Sequence, residues 1–226
     1  MSGSESILPV DPFYEDEFVT IYHGDSRELL PLIDADVMVT DPPYGYAYAS
    51  NRDKRIIDGP IANDHDTSAR DDVLEVWGAR PAIMFGSWKR PRPAATRMML
   101  IWDKGGAVGM GDLSMPWKPS FEEIYVIGDG FHGRRNGGVL RYVVNASNKG
   151  GVNGDGWLHP NEKPIPLMRD LLGKCPPGVI VDPFMGSGST LRAAKDLGRR
   201  AIGIEVDSKW CEVAVKRLAQ EVLDVA

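Results

Sequence analysis

From Ile165 to Leu223 the chain reads as helix, strand, helix, strand, helix, and this alternation most restricts what it can fold into. The helical patterns cover Ile165–Leu172, Thr190–Leu197 and Trp210–Leu223. Between them lie two short apolar runs, Val179–Val181 and Ala201–Ile204, each bounded by turn residues. Continuous apolar strands joined through helices are parallel strands buried on both faces. The first half supplies more of the same. Phe18–His23 is a β-branched and aromatic strand, after which Ser26 can cap a helix through Leu30 that Pro31 ends. Further strands are expected at Val37–Thr40, Ala82–Phe85, Met98–Trp102 and Phe121–Ile127, with a helix over Asp71–Ala79 and a strand-like patch at Leu140–Val144. The pattern predicts an α/β fold, a mostly parallel sheet with helices on both faces.

Length and composition fit one such domain. There are 226 residues, 42% hydrophobic and 26% charged, which supports a packed core and argues against pervasive disorder. No internal repeat or linker marks a second domain. Residues 1–17 read as an arm, because Pro9 and Pro12 oppose regular structure, and 18–226 as the domain. Within it, residues 45–66 form a long polar segment, and 128–158 form a glycine-, asparagine- and arginine-rich insert.

In open α/β sheets ligands bind beyond the carboxyl ends of the strands. Four strands here end at an acid: Asp25, Asp41, Asp182 and Glu205. One would be ordinary surface; four gathered on one edge describe a site. After Asp41 come Pro42, Pro43 and Tyr44, and the prolines fix the turn so that a carboxylate and a flat ring keep a set relation. That pair suits a flat substrate with an exocyclic amino group, such as adenine or cytosine. Asp182 opens a second turn, Asp182-Pro183-Phe184-Met185-Gly186-Ser187-Gly188-Ser189-Thr190, between an apolar strand and a helix. Its glycines let the backbone turn tightly near a ligand, and Ser189 or Thr190 can cap the helix. Leu191 stands where a nicotinamide-binding turn would carry a third glycine. Glu205, seventeen residues beyond Gly188, can accept both hydroxyls of a ribose.

Other chemistries find no support in the sequence. The histidines, at positions 23, 65, 132 and 159, show no metal-ligand spacing, and two cysteines, Cys175 and Cys211, make no disulfide framework. Glycines 105, 106, 109 and 111 lack the Lys-Ser/Thr ending of a phosphate loop. No apolar run is long enough to span a membrane, and the first ten residues do not read as a signal peptide, so a cytoplasmic setting is expected. A net charge of −6 argues against a protein that coats nucleic acid, but not against an enzyme with a local basic face. Two stretches provide one: Lys89 to Lys104, and Arg134, Arg135, Arg141, Lys149 and Lys163.

Taken together, Asp41-Pro42-Pro43-Tyr44, His159-Pro160-Asn161-Glu162-Lys163-Pro164 and the turn from Asp182 to Thr190 resemble the amino-group DNA methyltransferases that use S-adenosylmethionine. The order, with the catalytic motif before the cofactor motif, is that of their beta group. The resemblance runs from about Phe18 to Leu223. It implies a single Rossmann-like domain with a seven-stranded sheet in the order 3-2-1-4-5-7-6, its last strand antiparallel and its halves permuted in sequence. Asp41, Pro42 and Tyr44 would face the target base. The turn around Asp182, Phe184, Gly186, Ser187, Gly188 and Thr190 would hold the methionine end of the cofactor. Glu205 would take the ribose, Asp25 the cofactor's adenine, and Lys163 would pack over the methionine. Arg134, Arg135, Arg141 and Lys149, in the short target-recognition insert, would contact DNA. The partner is double-stranded DNA with the target base flipped out; the resemblance also admits a homodimer.

Aspartate at the head of the tetrad favours adenine N6 over cytosine N4. A catalytically silent subunit of the same fold would be marked by loss of Asp41, of a turn glycine or of Glu205, and all of these are present.

Overall fold

The computed structural model of the protein describes residues 10–45, 65–105, 113–143 and 162–219. Nine strands form one sheet: β1 Tyr14–Glu15, β2 Val19–His23, β3 Val37–Thr40, β4 Ala82–Gly86, β5 Thr96–Asp103, β6 Phe121–Ile127, β7 Val139–Arg141, β8 Ile180–Asp182 and β9 Ala201–Glu205. Their order is β1-β2-β9-β8-β3-β4-β6-β5-β7. The seven from β2 to β5 reproduce the expected 3-2-1-4-5-7-6 order, and β6 runs antiparallel to both β4 and β5.

The two extra strands close the edges. β1 pairs antiparallel with β2, so the segment expected to be an arm reaches the sheet at Tyr14–Glu15. Asp16 fixes it there, accepting from the amides of Phe18 and Val19 at 2.9 and 2.8 Å. β7 runs parallel to β5 at the opposite edge.

The strands alternate their side chains between two apolar layers, as a pleated strand must. Val37 and Val39 of β3 face one layer and Met38 the other. On the first side lie α3 (Ile165–Leu172), α4 (Ser189–Asp196) and α5 (Ser208–Leu218), with Leu167, Leu171, Leu191, Cys211 and Ala214 buried. The second side takes the short α1 (Ser26–Leu29) and α2 (Ser68–Trp77), through Leu29, Val73 and Trp77. Helix limits differ from expectation at their caps. Asp25, not Ser26, caps α1, its carboxylate accepting from the Arg27 amide at 2.9 Å. Gly188 opens α4 in the left-handed conformation, which neither Ser189 nor Thr190 would adopt cheaply.

The chain passes from β8 to β9 on one side, while β3 flanks β8 on the other. That reversal opens a crevice at the carboxyl ends of β8 and β3, where ligands bind in open α/β sheets.

Candidate active site

The four acid-ended strands are neighbours. Across the sheet β2, β9, β8 and β3 present Asp25, Glu205, Asp182 and Asp41 in that order. At one inter-strand spacing per step, the row covers roughly 14 Å of edge. Sequence order scatters these acids over 180 positions; the fold makes them a line.

Asp182 sits at its centre and is buried. Its oxygens accept from the hydroxyls of Thr40 at 2.7 Å and Thr190 at 2.5 Å, and from the Phe184 amide at 3.1 Å. Asp182 therefore ties β3, β8 and α4 together at the switch point. Burial pushes its carboxyl up to about 6, against those hydrogen bonds. The native state then binds the extra proton more readily than the unfolded chain does. Asp182 contributes its stability below about pH 4 and loses it as pH rises through about 6. In Asp182→Asn this dependence should vanish, so the variant gains on the wild type by up to about 3 kcal/mol between pH 4 and pH 7. Urea unfolding across that range measures it; a constant difference would refute the assignment.

The turn after β8 is braced from within. The amides of Phe184, Met185, Gly186 and Gly188 donate to Asp182, the Ile204 carbonyl, Glu205 and the Met185 carbonyl. These hydrogen bonds hold the turn rigid. Gly188 has φ +78° and an added Cβ would lie 2.9 Å from Ala214 Cβ, so the turn lies tight against α5. Thr190 donates to Asp182, while Ser189 Oγ accepts from the buried Arg217 at 2.8 Å. Ser187 is buried. Arg217 also pairs with Glu162 at 2.7 Å, which pins the segment before Lys163 to the same turn.

Glu205 accepts from Gly186 on one oxygen at 3.0 Å and from Asp207 on the other at 2.9 Å. Burial raises its carboxyl above the usual range. Asp25 is held below its usual range by Arg27, which is hydrogen-bonded to it. Each Glu205 oxygen accepts one hydrogen bond and can accept a second, so Glu205 keeps acceptor capacity for a polyhydroxylated ligand. Both Asp25 oxygens already accept twice from Arg27, whose guanidinium must turn aside before Asp25 can take an amino group. The open acceptor positions of Glu205 fit the hydroxyls of an adenosyl ribose.

At the far end stands Asp41, beside the buried Pro42. Tyr44 donates its hydroxyl to Asp41 Oδ1 at 2.7 Å, and burial together with Asp41 pushes the phenol well above its ordinary value. Lys163 donates to the other oxygen, Asp41 Oδ2. Sequence reasoning placed Lys163 over a cofactor; the structure puts its ammonium on the tetrad acid. Burial pushes the Asp41 carboxyl up, with Lys163 opposing. Burial alone would lower Lys163, but Asp41 and Glu122 outweigh it and hold the ammonium charged.

Glu122 escaped the sequence reading, while Lys104 and Arg90 stood in the basic stretch without a place in the site. Glu122, at the start of β6, lies 3.3 Å from the Lys163 ammonium and is also paired with Lys104. Although burial acts upward on it, these two lysines hold Glu122 below the usual carboxylate range. Arg90 reaches back from the segment after β4 to donate to the carbonyls of Tyr44 and Gly45, bracing the tetrad turn. The available signal was an acid pair, Glu122-Glu123, opening an otherwise apolar strand at the site edge.

The predicted nucleic-acid contacts divide. Arg141 ends β7 on the site edge and pairs with Asp103 at 2.8 Å. Arg134 and Arg135 lie elsewhere: the Arg134 carbonyl accepts from Lys174, in the connection leading into β8, and the neighbouring His132 amide donates to the Lys174 carbonyl. That is the edge where the parallel strands begin, about 13 Å of strand from Asp41. The site edge instead exposes Trp88 and Lys89 after β4 and Trp117 and Lys118 before β6. Lys149 and His159 lie outside the described residues. Among the described residues no cluster of metal-ligating side chains occurs, and no helix is long and apolar enough to cross a membrane.

The geometry can be set beside known proteins. A family model for N6 and N4 methyltransferases, described as DNA methylase, matches residues 62–216. This chain belongs to the N6/N4 DNA methylase family. Among curated relatives of this methylase, the type II methyltransferase M.ScaI of Streptomyces caespitosus is 24% identical over 263 aligned positions, covering 93% of this chain and 84% of the relative. Among solved structures, M1.HpyAVI in complex with SAM matches with a TM-score of 0.60 and 22% identity, covering 88% of this chain and all of that one. The cytosine-N4-specific PvuII DNA methyltransferase matches with a TM-score of 0.67 and 14% identity, covering 94% and 90%. At these identities the two structures speak for the fold of the methylase alone.

Proposed function

We propose that this DNA methylase transfers the methyl group of S-adenosylmethionine to the N6 amine of adenine in double-stranded DNA. The observation that carries the reading is the row Asp25, Glu205, Asp182, Asp41 along four adjacent strand ends. Asp25 would accept from the cofactor's adenine and Glu205 from its ribose. The braced turn from Asp182 to Thr190 would take the methionine end. Asp41 and Tyr44, next in line, would receive the target base. The cofactor supplies an electrophilic methyl group on a sulfonium.

An exocyclic amine is a poor nucleophile because its lone pair is delocalised into the ring. Asp41, with the Pro42 carbonyl, accepts the amine's hydrogens and lets the nitrogen move towards tetrahedral geometry, freeing that pair. The amine would take the methyl group with the C–S electron pair staying on sulfur, and the proton lost from nitrogen would pass to the Asp41 carboxylate, which burial makes more basic than usual. Holding both reactants in line supplies much of the rate, and a fixed acceptor stabilises the positive charge growing on nitrogen. A duplex buries this amine, so the base is flipped out, with the Tyr44 ring as its stacking surface. The enzyme acts in the cytoplasm, where the motif order and an M.ScaI-like sequence are in keeping with a modification methylase.

Aspartate at position 41 favours adenine. The second reading, cytosine N4, draws on the cytosine-N4-specific PvuII enzyme among the structural neighbours. Incubating the protein with S-adenosylmethionine and mixed duplex DNA, then digesting to nucleosides for mass spectrometry, distinguishes them. N6-methyladenine is the expected product; N4-methylcytosine would replace the proposal, and neither would point to the silent subunit.

DNA would approach the edge carrying Trp88, Lys89, Trp117, Lys118 and Arg141. Replacing Lys89 and Lys118 together by alanine should weaken duplex binding and lower its salt slope by about two. Replacing Arg134 and Arg135 should leave binding within twofold. The reverse pattern, read by anisotropy titration at several salt concentrations, would assign contact to the insert. A homodimer would add DNA contact to this short insert; sedimentation of the protein with and without duplex tests it.

A further inference from the structure

Asp41, the proposed acceptor for the target amine, is engaged by a cation. Lys163 donates to Asp41 Oδ2, and its ammonium lies among the rings of Phe85, Tyr44 and Trp102, at 4.9 to 5.9 Å from their centroids. Its side chain is only 5% exposed, against 26% for Asp41. An ammonium on that carboxylate weakens it as an acceptor and repels the positive charge that grows on the attacking nitrogen. Methyl transfer therefore needs somewhere for Lys163 to go.

The second carboxylate is in place. Glu122 Oε2 lies 3.3 Å from the ammonium and 3.4 Å from the Tyr44 hydroxyl, while its other oxygen pairs with Lys104. Trp102 and Glu122 are partners in the β5–β6 register, so the backbone of two long strands fixes Glu122 at this height. Two carboxylates and two ammonium groups balance. A shift of the ammonium by about one bond length would exchange its main partner, and an arriving amine would replace it on Asp41. Without Glu122, Asp41 would be the carboxylate left to Lys163.

We propose that Glu122 is a positioning residue that draws Lys163 from Asp41 to itself when the target amine arrives, so that Asp41 is released only as the base is seated. This rests on the reading of Asp41 as the amine acceptor. Glu122→Gln removes the charge at nearly constant shape and is expected to lower kcat ten- to a hundredfold, with S-adenosylmethionine affinity within twofold. Glu122→Asp, which keeps the charge, should recover most of the loss. A role in folding would not follow charge in this way. In a Lys163→Met background, Glu122→Gln should have less than a threefold further effect, because the two act as one unit. Should Glu122→Gln not fold, the comparison of Glu122→Asp with wild type and with Lys163→Met decides. Full effects that multiply across the double variant, or an unchanged kcat in Glu122→Gln, overturn the proposal. A wild-type protein without methyl transfer would instead overturn the proposed function itself.

Discussion

Asp41→Ala should reduce methyl transfer by at least about a hundredfold while leaving S-adenosylmethionine affinity within a few fold. Loss of one fixed hydrogen-bonding group at a site of developing charge costs about that much in enzymes where it has been removed. The separation of effects follows from position. Asp41 stands at the end of the acid row, two strands from Glu205 and three from Asp25. Its hydrogen-bond partners are Tyr44 and Lys163. Removing the carboxylate does not strand the buried ammonium, because Glu122 lies 3.3 Å from it, so the fold should persist. Asp41→Asn would be nearly as inactive, since its amide nitrogen offers a donor where an acceptor is required. Initial rates at saturating DNA, with calorimetric titration of the cofactor, check both halves. A folded Asp41→Ala protein that cannot bind the cofactor would remove Asp41 from the base-facing end of the row.

What could be read in the sequence depended on whether the physics was local. Val37–Thr40 and Phe121–Ile127 emerge with the limits expected of them, because apolar runs closed by turn residues carry their own boundaries. The row of acids was legible for the same reason: each ends its own strand. Strand β1 was not, since two residues near Pro12 have no period and owe their pairing to the distant β2. Caps were misplaced by one residue at Asp25 and by one or two at Gly188, where several neighbouring residues could serve and tertiary fit chooses. The partner of Lys163 was out of reach, because Asp41 is 122 positions away and Glu122 sits on a third element. The basic insert misled in another way. Arg134 and Arg135 follow the one antiparallel strand among the central seven, and β6 delivers them to the edge opposite the site. A single reversed strand inverts the side on which a loop emerges.

Glu205→Ala should lose cofactor affinity by roughly 1–3 kcal/mol, about five- to more than a hundredfold, with DNA affinity unchanged. Two losses combine here. The carboxylate would accept the ribose hydroxyls, and it already accepts from Gly186 and Asp207, so it also fixes the turn that follows β8. Glu205→Gln separates these only in part, since its amide group can accept from one of the two backbone donors and leaves the other facing an N–H. It should therefore lie near alanine in affinity. The pH dependence offers an independent check. Burial raises the Glu205 carboxyl, so it takes up a proton at higher pH than a solvated glutamate. A protonated acid accepts the ribose hydroxyls less well, so wild-type affinity should weaken as pH falls through this raised range. Glu205→Ala has no such proton to gain and should show a flatter acid limb. Titrations of both proteins over a pH series, with thermal melts to confirm folding, measure the difference; parallel acid limbs would move the ribose to another acceptor on the row.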